Sequence, residues 1–349
     1  MNGNGSRPSF GLPSAPISRT AVYVAAARAV GAREPDPVTR NPDRLVERFL
    51  GDASQLDVDH PVVHALELDY DDAMEDIEVV SAVRMMMVRT RFIDDALERA
   101  VADGATQIVI LGAGLDTHAY RCRELLAGTR VFEVDRPSTQ ALKRRRVDEV
   151  LGGAPDNTTY VAVDFGTEDL ADVLSRHGYD ASRQTFFILE GVTMYLPEEA
   201  VRATLRFVAA HLPGSGIVFD FLTGELIRTM RGLDIATVAP AVRPIIERFL
   251  TLIRDEPFHF GIPFGTEREY LGELGLEIRE VLVVGGEEAA KRYLTKADGT
   301  QVGETTLARA MARFAAAAPS VPVEQMREHH RMMTHKLAAA FVPHVVSRA

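Results

Sequence analysis

The chain has 349 residues, with 50 acidic against 39 basic side chains, a formal net charge of −11 and one cysteine, Cys122. The acid excess excludes an ordinary nucleic-acid binder, which carries a basic surface. A lone cysteine excludes an internal disulfide framework and fits a reducing, cytoplasmic setting. No apolar run reaches the roughly 18 residues of a membrane span, and 46% hydrophobic with 26% charged residues is ordinary for a globular chain of one large or two modest domains.

Residues 1–17, rich in Gly, Ser and Pro and without an apolar signal block, are expected to be a disordered leader. From 18 to 104 the pattern predicts a helical cap. "SRTAVYVAAARAVGA" is Ala-rich with few breakers, "PDRLVERFLG" runs from Pro42 and Asp43 to Gly51, and a long helix ends before Gly104. In that long helix Met85, Met86 and Met87 are expected to fill core.

From Gln107 the character changes. "QIVIL", "TRVFEV", "TTYVAV", "QTFFIL" and "GIVFDF" alternate with helical segments. One of these, "PEEAVRATLRFVAAHL", repeats Val201, Leu205, Val208 and Leu212 at helical spacing behind Pro197. "LKRRR" at 142–146 reads as a solvated helix face. Apolar strands in alternation with helices predict an α/β fold: a doubly wound, mostly parallel Rossmann-like sheet over 105–295, covered on both faces. A helical insertion is expected at 223–256 and a late strand in "LEIREVLVV". The region 296–349 is expected to be a helical extension, because Met326, His330, Met333, Leu337 and Phe341 fall at helical spacing. Such a stripe suits a docked helix or the contact face of a homo-oligomer.

Ligands of such sheets lie outside the carboxyl ends of the strands. The first strand ends in Gly112-Ala113-Gly114, the second in Asp135, the third in Asp164-Phe165 and the fourth in Glu190. No P-loop lysine is present, and Thr117 with Asp116 departs from a dinucleotide fingerprint, where a carboxylate would repel the pyrophosphate. Acids in this order suit a ligand with sugar hydroxyls, an amine and positive charge, as in S-adenosylmethionine. Asp135 would accept from the ribose hydroxyls and Asp164 from the adenine amine, beside the Phe165 amide. Glu190 would lie near the sulfonium and amino group. Any one of these acids could instead be a loop carboxylate or helix cap.

"SRTAVYVAAARA", "RTRFIDD", "LGAGLDTHAYR", "EVDRP", "DF", "EGVTMYL" and "FGI" together cover roughly 18–295. In these the chain resembles class I methyltransferases of the leucine carboxyl methyltransferase type, especially their bacterial and polyketide O-methyltransferase branch. The resemblance implies that Arg91 binds the cofactor carboxylate and that Gly112 and Gly114 line its turn. It further implies that Asp135 holds the ribose, Asp164 and Phe165 the adenine, and Glu190 the amino group. Arg91 could alternatively pair with Asp95 four residues on.

The expected activity is S-adenosylmethionine-dependent O-methylation of a carboxyl or hydroxyl group of a small metabolite, plausibly a polyketide-like one. The alternatives are another reaction on the same fold or a non-catalytic regulatory subunit. Tyr195 is the acceptor-orienting candidate, with a buried core tyrosine as the equal reading. No His–acid dyad stands out as a base; His118 reads as part of the turn, His211 as structural, and His329, His330 and His335 as tail residues. Without a Cys/His cluster of zinc spacing, no metal is expected. The N-terminal helices and the insertion are expected to wall an apolar acceptor pocket.

Overall fold

The computed structural model describes residues 18–52, 56–163, 168–240, 242–317 and 335–343. The expected leader, Asp164 and Phe165, and Met326, His329, His330 and Met333 lie outside the described residues. Among the described residues no helix is long and apolar enough to cross a membrane.

The N-terminal region is helical as its composition predicts. The helix Arg19–Gly31 starts at Ser18, whose hydroxyl accepts from the Ala21 amide. Its Ala25, Ala26, Ala27 and Ala29 are fully buried, small enough to let neighbouring helices approach closely. The 26-residue helix Ile77–Ala102 begins at Asp76, whose carboxylate accepts from the Glu78 and Val79 amides. It packs on the first helix and on the sheet. Met86 and Met87 are wholly buried core, whereas Met85 borders the main cavity.

The sheet contains β1 (Gln107–Leu111), β2 (Arg130–Asp135), β3 (Thr158–Ala162), β4 (Thr185–Leu189), β5 (Gly216–Thr223), β6 (Gly261–Ile262), β7 (Glu277–Val283) and β8 (His335–Phe341). Its order is β3-β2-β1-β4-β5-β8-β7. β1 to β5 run parallel, and β8 lies antiparallel between β5 and β7. Leu222 of β5 faces His335 on one edge and Gly261 of β6 on the other. β1, β4 and β5 are buried along their whole length, which is why they read as continuous apolar runs. One core joins the N-terminal helices to the sheet through Phe49, Phe92, Ile93 and Ile108. The other fills the opposite face with Phe187, Val201, Leu205 and Val208. The helix Glu198–Ala209 stops before Leu212, leaving that fourth member of the expected stripe 42% exposed.

The tail corrects the expectation of an all-helical extension. Glu304–Ala317 is helical, but Leu337 and Phe341 belong to β8. "HKLAAAF" is Ala-rich, which favours a helix by local propensity. Pairing on both edges overrides that preference, and three small side chains fit between two neighbouring strands. The core domain therefore does not close at 295: its sheet is completed by residues 335–341.

The chain crosses from β1 to β2 on one side and to β4 on the other, so a crevice opens beyond the carboxyl ends of β1 and β4. β8 is held tightly against β5: a Cβ at Gly216 would sit 2.7 Å from the Ala340 carbonyl oxygen. Gly216→Val is therefore expected to destabilise the fold by about 1–3 kcal/mol through overpacking, read as a lower urea midpoint. An unchanged midpoint would contradict this placement of β8.

Candidate functional site

A cavity of about 1060 Å³ occupies that crevice. It is lined by the glycine loop, Asp135, Glu190 and Tyr195, by the N-terminal helix from Ser18 to Arg28, and by Leu226, Met230 and Phe249 of the insertion. The expected walls from the N-terminal helices and the insertion thus border one space with the strand ends. Its size is at the upper end of the roughly 300–1,000 Å³ typical of small-molecule pockets.

Gly112 (φ 69°) and Gly114 (φ 36°) both take left-handed conformations that disfavour a side chain. A Cβ at Gly112 would meet Val192 Cγ2 at 2.6 Å, whereas at Gly114 the nearest atom is 3.7 Å away. The first glycine is required for packing, whereas a Cβ at the second would make only an ordinary van der Waals contact. The amides of Gly112 and Ala113 both donate to the Val134 carbonyl, at 2.9 and 3.0 Å. Behind the loop, Lys143 Nζ donates to the Ala113 carbonyl (3.1 Å) and to Glu133 Oε1 (2.7 Å). This corrects the solvated reading of 142–146: Lys143 is only 2% exposed, because a buried glutamate on β2 draws it inward.

Asp135 accepts the Gly114 amide on Oδ2 (2.6 Å) and the Arg136 amide on Oδ1 (2.7 Å). A carboxylate has about four acceptor positions, so each oxygen keeps capacity for one more donor. Glu190 directly follows β4 and lies against Arg89, with Arg89 Nη2 at 2.7 Å from its Oε1.

Arg91 is not at this site. Its guanidinium donates to the Val38 carbonyl, and Asp95, its expected partner, instead receives Arg292 (2.7 Å) and Tyr293 (2.8 Å). The buried arginine of the cavity is Arg89, two residues earlier. Two positions along a helix turn a side chain by about 200°, which directs Arg89 inward and Arg91 to the surface. Arg89 Nη1 lies 3.2 Å from Asp220 Oδ2, an acid within the otherwise apolar β5. Asp220 also accepts the Gly191 amide (2.6 Å) and pairs with His335 Nε2 (2.9 Å). Burial opposes charge on Arg89, but Glu190 and Asp220 raise its pKa; burial likewise opposes charge on Asp220, where Arg89 and His335 prevail and lower it. The sequence reading missed Arg89, Asp220 and Lys143; a carboxylate inside "GIVFDF" was the one available signal.

His118 is buried, with Nδ1 2.7 Å from Asp116 and Nε2 3.1 Å from Asp94. Burial disfavours its charge, yet Asp116 outweighs it and its pKa rises to about 9. Asp94, also clamped by Arg121 at 2.6 and 2.8 Å, falls to about 2 against the opposing effect of burial. Asp116, His118 and Glu190 hold ligand-type atoms within 4.8 Å of one another. Within this grouping His118 pairs with Asp116, and Glu190 pairs with Arg89. Tyr195 lines the cavity, its ring 5.3 Å from that of Phe258.

The cavity suits an adenosyl sulfonium compound by its own groups. Gly114 presents backbone to the cavity, acceptor capacity remains on Asp135, and the buried Nε atoms of Arg28 and Arg89 lack protein partners. With the sheet order, these features define a Rossmann-like class I methyltransferase architecture.

Comparison with known proteins agrees. Residues 21–209 match the family leucine carboxyl methyltransferase. A protein of Mycobacteroides abscessus is 38% identical over 208 residues, 58% of this chain and 64% of its own length. One of Mycolicibacterium vanbaalenii is 34% identical over 227 residues, 61% of this chain and 68% of its own length. Both carry the name "Putative S-adenosyl-L-methionine-dependent methyltransferase". Among solved structures, a methyltransferase so titled from Thermobifida fusca aligns with a TM-score of 0.46 and 17% identity, over 90% of this chain and 98% of that one. The chain belongs to the leucine carboxyl methyltransferase family, and S-adenosylmethionine is the cofactor of its class.

His118 makes one property of this site measurable. A pKa raised from 6.5 to about 9 contributes stability that is full below about pH 6.5 and lost as pH rises through 9. The unfolding free energy is expected to fall by up to roughly 3 kcal/mol over that window, and His118→Gln to flatten the slope in urea titrations at stepped pH.

Proposed function

We propose that the cavity binds S-adenosylmethionine and that the chain transfers its methyl group to an oxygen of a small, partly apolar metabolite in the cytoplasm. The observation that carries this reading is one continuous cavity bordered by Gly112, Gly114, Asp135 and Glu190 at the strand ends and by Val24, Leu226, Met230 and Phe249 of the helices. The bound cofactor would supply an electrophilic methyl group on a positively charged sulfur.

Asp135 would hold the ribose hydroxyls through the oxygens that already accept the Gly114 and Arg136 amides. Those two amides fix the carboxylate before the ligand arrives. Asp164 and Phe165 are assigned to the adenine from the sequence. Glu190 would take the amino group, and Arg89, with the unpartnered donor of Arg28, would take the carboxylate. Arg89 replaces Arg91 in this role, because only Arg89 borders the cavity. Planar guanidinium groups suit a carboxylate better than lysine would. Tyr195 would orient the acceptor where the loop after β4 meets Phe258.

The residues thus bind, align and exclude water. Alignment alone is worth ~7–11 kcal/mol when reacting atoms are held in line. Asp135→Asn is expected to cost roughly 1.5–3 kcal/mol of cofactor affinity by removing a charged acceptor, measured by calorimetry with S-adenosylhomocysteine; unchanged affinity would sink the ribose assignment. Arg91→Ala should leave that affinity within about twofold, whereas Arg89→Lys should weaken it at least tenfold with the thermal midpoint recorded alongside. The reverse ranking would restore Arg91 to the site.

A further inference from the structure

Glu256 lies where the insertion meets the first helix, on the wall of the same cavity. Its Oε2 accepts from Ser18 (2.6 Å) and from Thr20 (2.5 Å). Thr20 and Tyr195 line the same cavity, and the Tyr195 ring rests on Phe258. Phe249 stands behind Phe258 at 6.1 Å, so an apolar floor adjoins the polar groups of Tyr195, Thr20 and Glu256.

We infer that the methyl acceptor is a neutral hydroxyl on an apolar body, and that Glu256 receives its proton through Thr20. This rests on the proposed methyl transfer and narrows its substrate class.

Two observations favour a hydroxyl over a carboxylate. First, the buried cations of the cavity are held by protein groups, and the remaining donors of Arg89 and Arg28 go to the cofactor carboxylate in the proposed reading. Arg89 serves Glu190 and Asp220, Arg28 lies 3.1 Å from Asp43 and donates to the Leu115 carbonyl, and Lys143 serves Glu133. An incoming carboxylate would instead face Glu256, with the exposed Asp255 and His259 at the rim. Second, a carboxylate acceptor is already ionised and needs no base, whereas a hydroxyl benefits from one. Tyr195 is not that base: burial pushes its phenol up to about 12, so it keeps its proton at neutral pH. His335 has Nε2 engaged by Asp220 at 2.9 Å. Glu256 is a carboxylate on the cavity wall beside Tyr195, held by the Ser18 and Thr20 hydroxyls.

In the step so assigned, the acceptor oxygen forms its bond to the methyl carbon as the carbon–sulfur bond breaks. The bonding pair stays with sulfur, and the hydroxyl proton moves to Glu256 and later to solvent. No oxidant or further reactant is required.

The test uses a matched pair of probes, 2-naphthol and 2-naphthoate, titrated by calorimetry at pH 7.5 into the full-length protein saturated with S-adenosylhomocysteine. The expected result is at least tenfold tighter binding of the naphthol. Glu256→Gln, whose amide oxygen can still accept from Ser18 and Thr20, should narrow that ratio to within about threefold by improving naphthoate. It should also slow single-turnover methylation of the naphthol at least 50-fold while leaving S-adenosylhomocysteine affinity unchanged. Thr20→Val, which keeps the charge and breaks the relay, should retain the binding ratio and lose the transfer rate. Naphthoate binding as tightly as naphthol, a ratio unmoved by Glu256→Gln, or binding of neither probe to the loaded protein overturns the inference. Failure of the wild-type protein to bind S-adenosylhomocysteine at all is a separate result, and it overturns the cofactor reading beneath.

Discussion

The architecture of the site depends on one buried guanidinium. Arg89 comes from the long helix of the cap, Glu190 from the turn after β4 and Asp220 from β5, so a single side chain ties three separate elements together. All three groups are nearly inaccessible, with side chains 5%, 9% and 0% exposed. Two carboxylates around one cation would leave a net negative charge in a poorly solvated place, where an uncompensated charge is costly. His335 from β8 lies with Nε2 2.9 Å from Asp220 Oδ2. The last strand of the sheet, which arrives from the far end of the chain, thereby reaches the cavity floor. This arrangement also explains why a charged residue is tolerated inside an otherwise apolar central strand: Asp220 has a partner for each oxygen, including the Gly191 amide that fixes the turn after β4.

A second polar layer stabilises the other wall. Glu133 is buried in β2 and takes Lys143 on one oxygen and the Tyr120 hydroxyl on the other, both at 2.7 Å. Lys143 spends a further donor on the Ala113 carbonyl. The glycine loop is thus restrained from behind by a lysine and from the side by the Val134 carbonyl, while Asp135 holds its Gly114 amide. Burial raises the Glu133 pKa against the opposing pull of Lys143. What the pair secures is geometry: it holds the glycine loop from behind through the Ala113 carbonyl.

The parallel sheet was legible because its strands are buried on both faces and therefore apolar throughout. "QIVIL" is β1 residue for residue, and the glycine and acid tips follow directly from strands that end together. Other features were not legible, for physical reasons that differ. β8 reads as a helix because its alanines carry helical propensity and only its neighbours make it a strand. Arg89 and Arg91 sit in one motif, and a two-residue spacing says nothing of which faces inward until the helix is docked. Lys143 lies among arginines that do face water, so composition hides the one that does not. Glu256 is joined to the site by contacts 236 and 238 residues apart, which no local pattern encodes.

That contrast follows from how the two halves of the cavity are built. The candidate cofactor groups stand directly at the ends of β1, β2 and β4, so each is announced by its own strand even though the spatial order is β2-β1-β4. The acceptor side is assembled where the first helix, the turn after β4 and the end of the insertion meet. None of these is a neighbour of another in sequence. An insertion between β5 and β6 can change length and composition without disturbing the parallel strands, because it leaves the sheet at Thr223 and returns at Gly261. The same sheet can therefore keep one cofactor geometry while the helices laid over it alter what the methyl group meets. Tyr195 and Glu256 stand on either side of that boundary: the first belongs to the turn that also carries Glu190, and the second to the inserted wall. The Ser18 and Thr20 hydroxyls tie Glu256 to the first helix, and their removal would free that wall while leaving the strand ends in place.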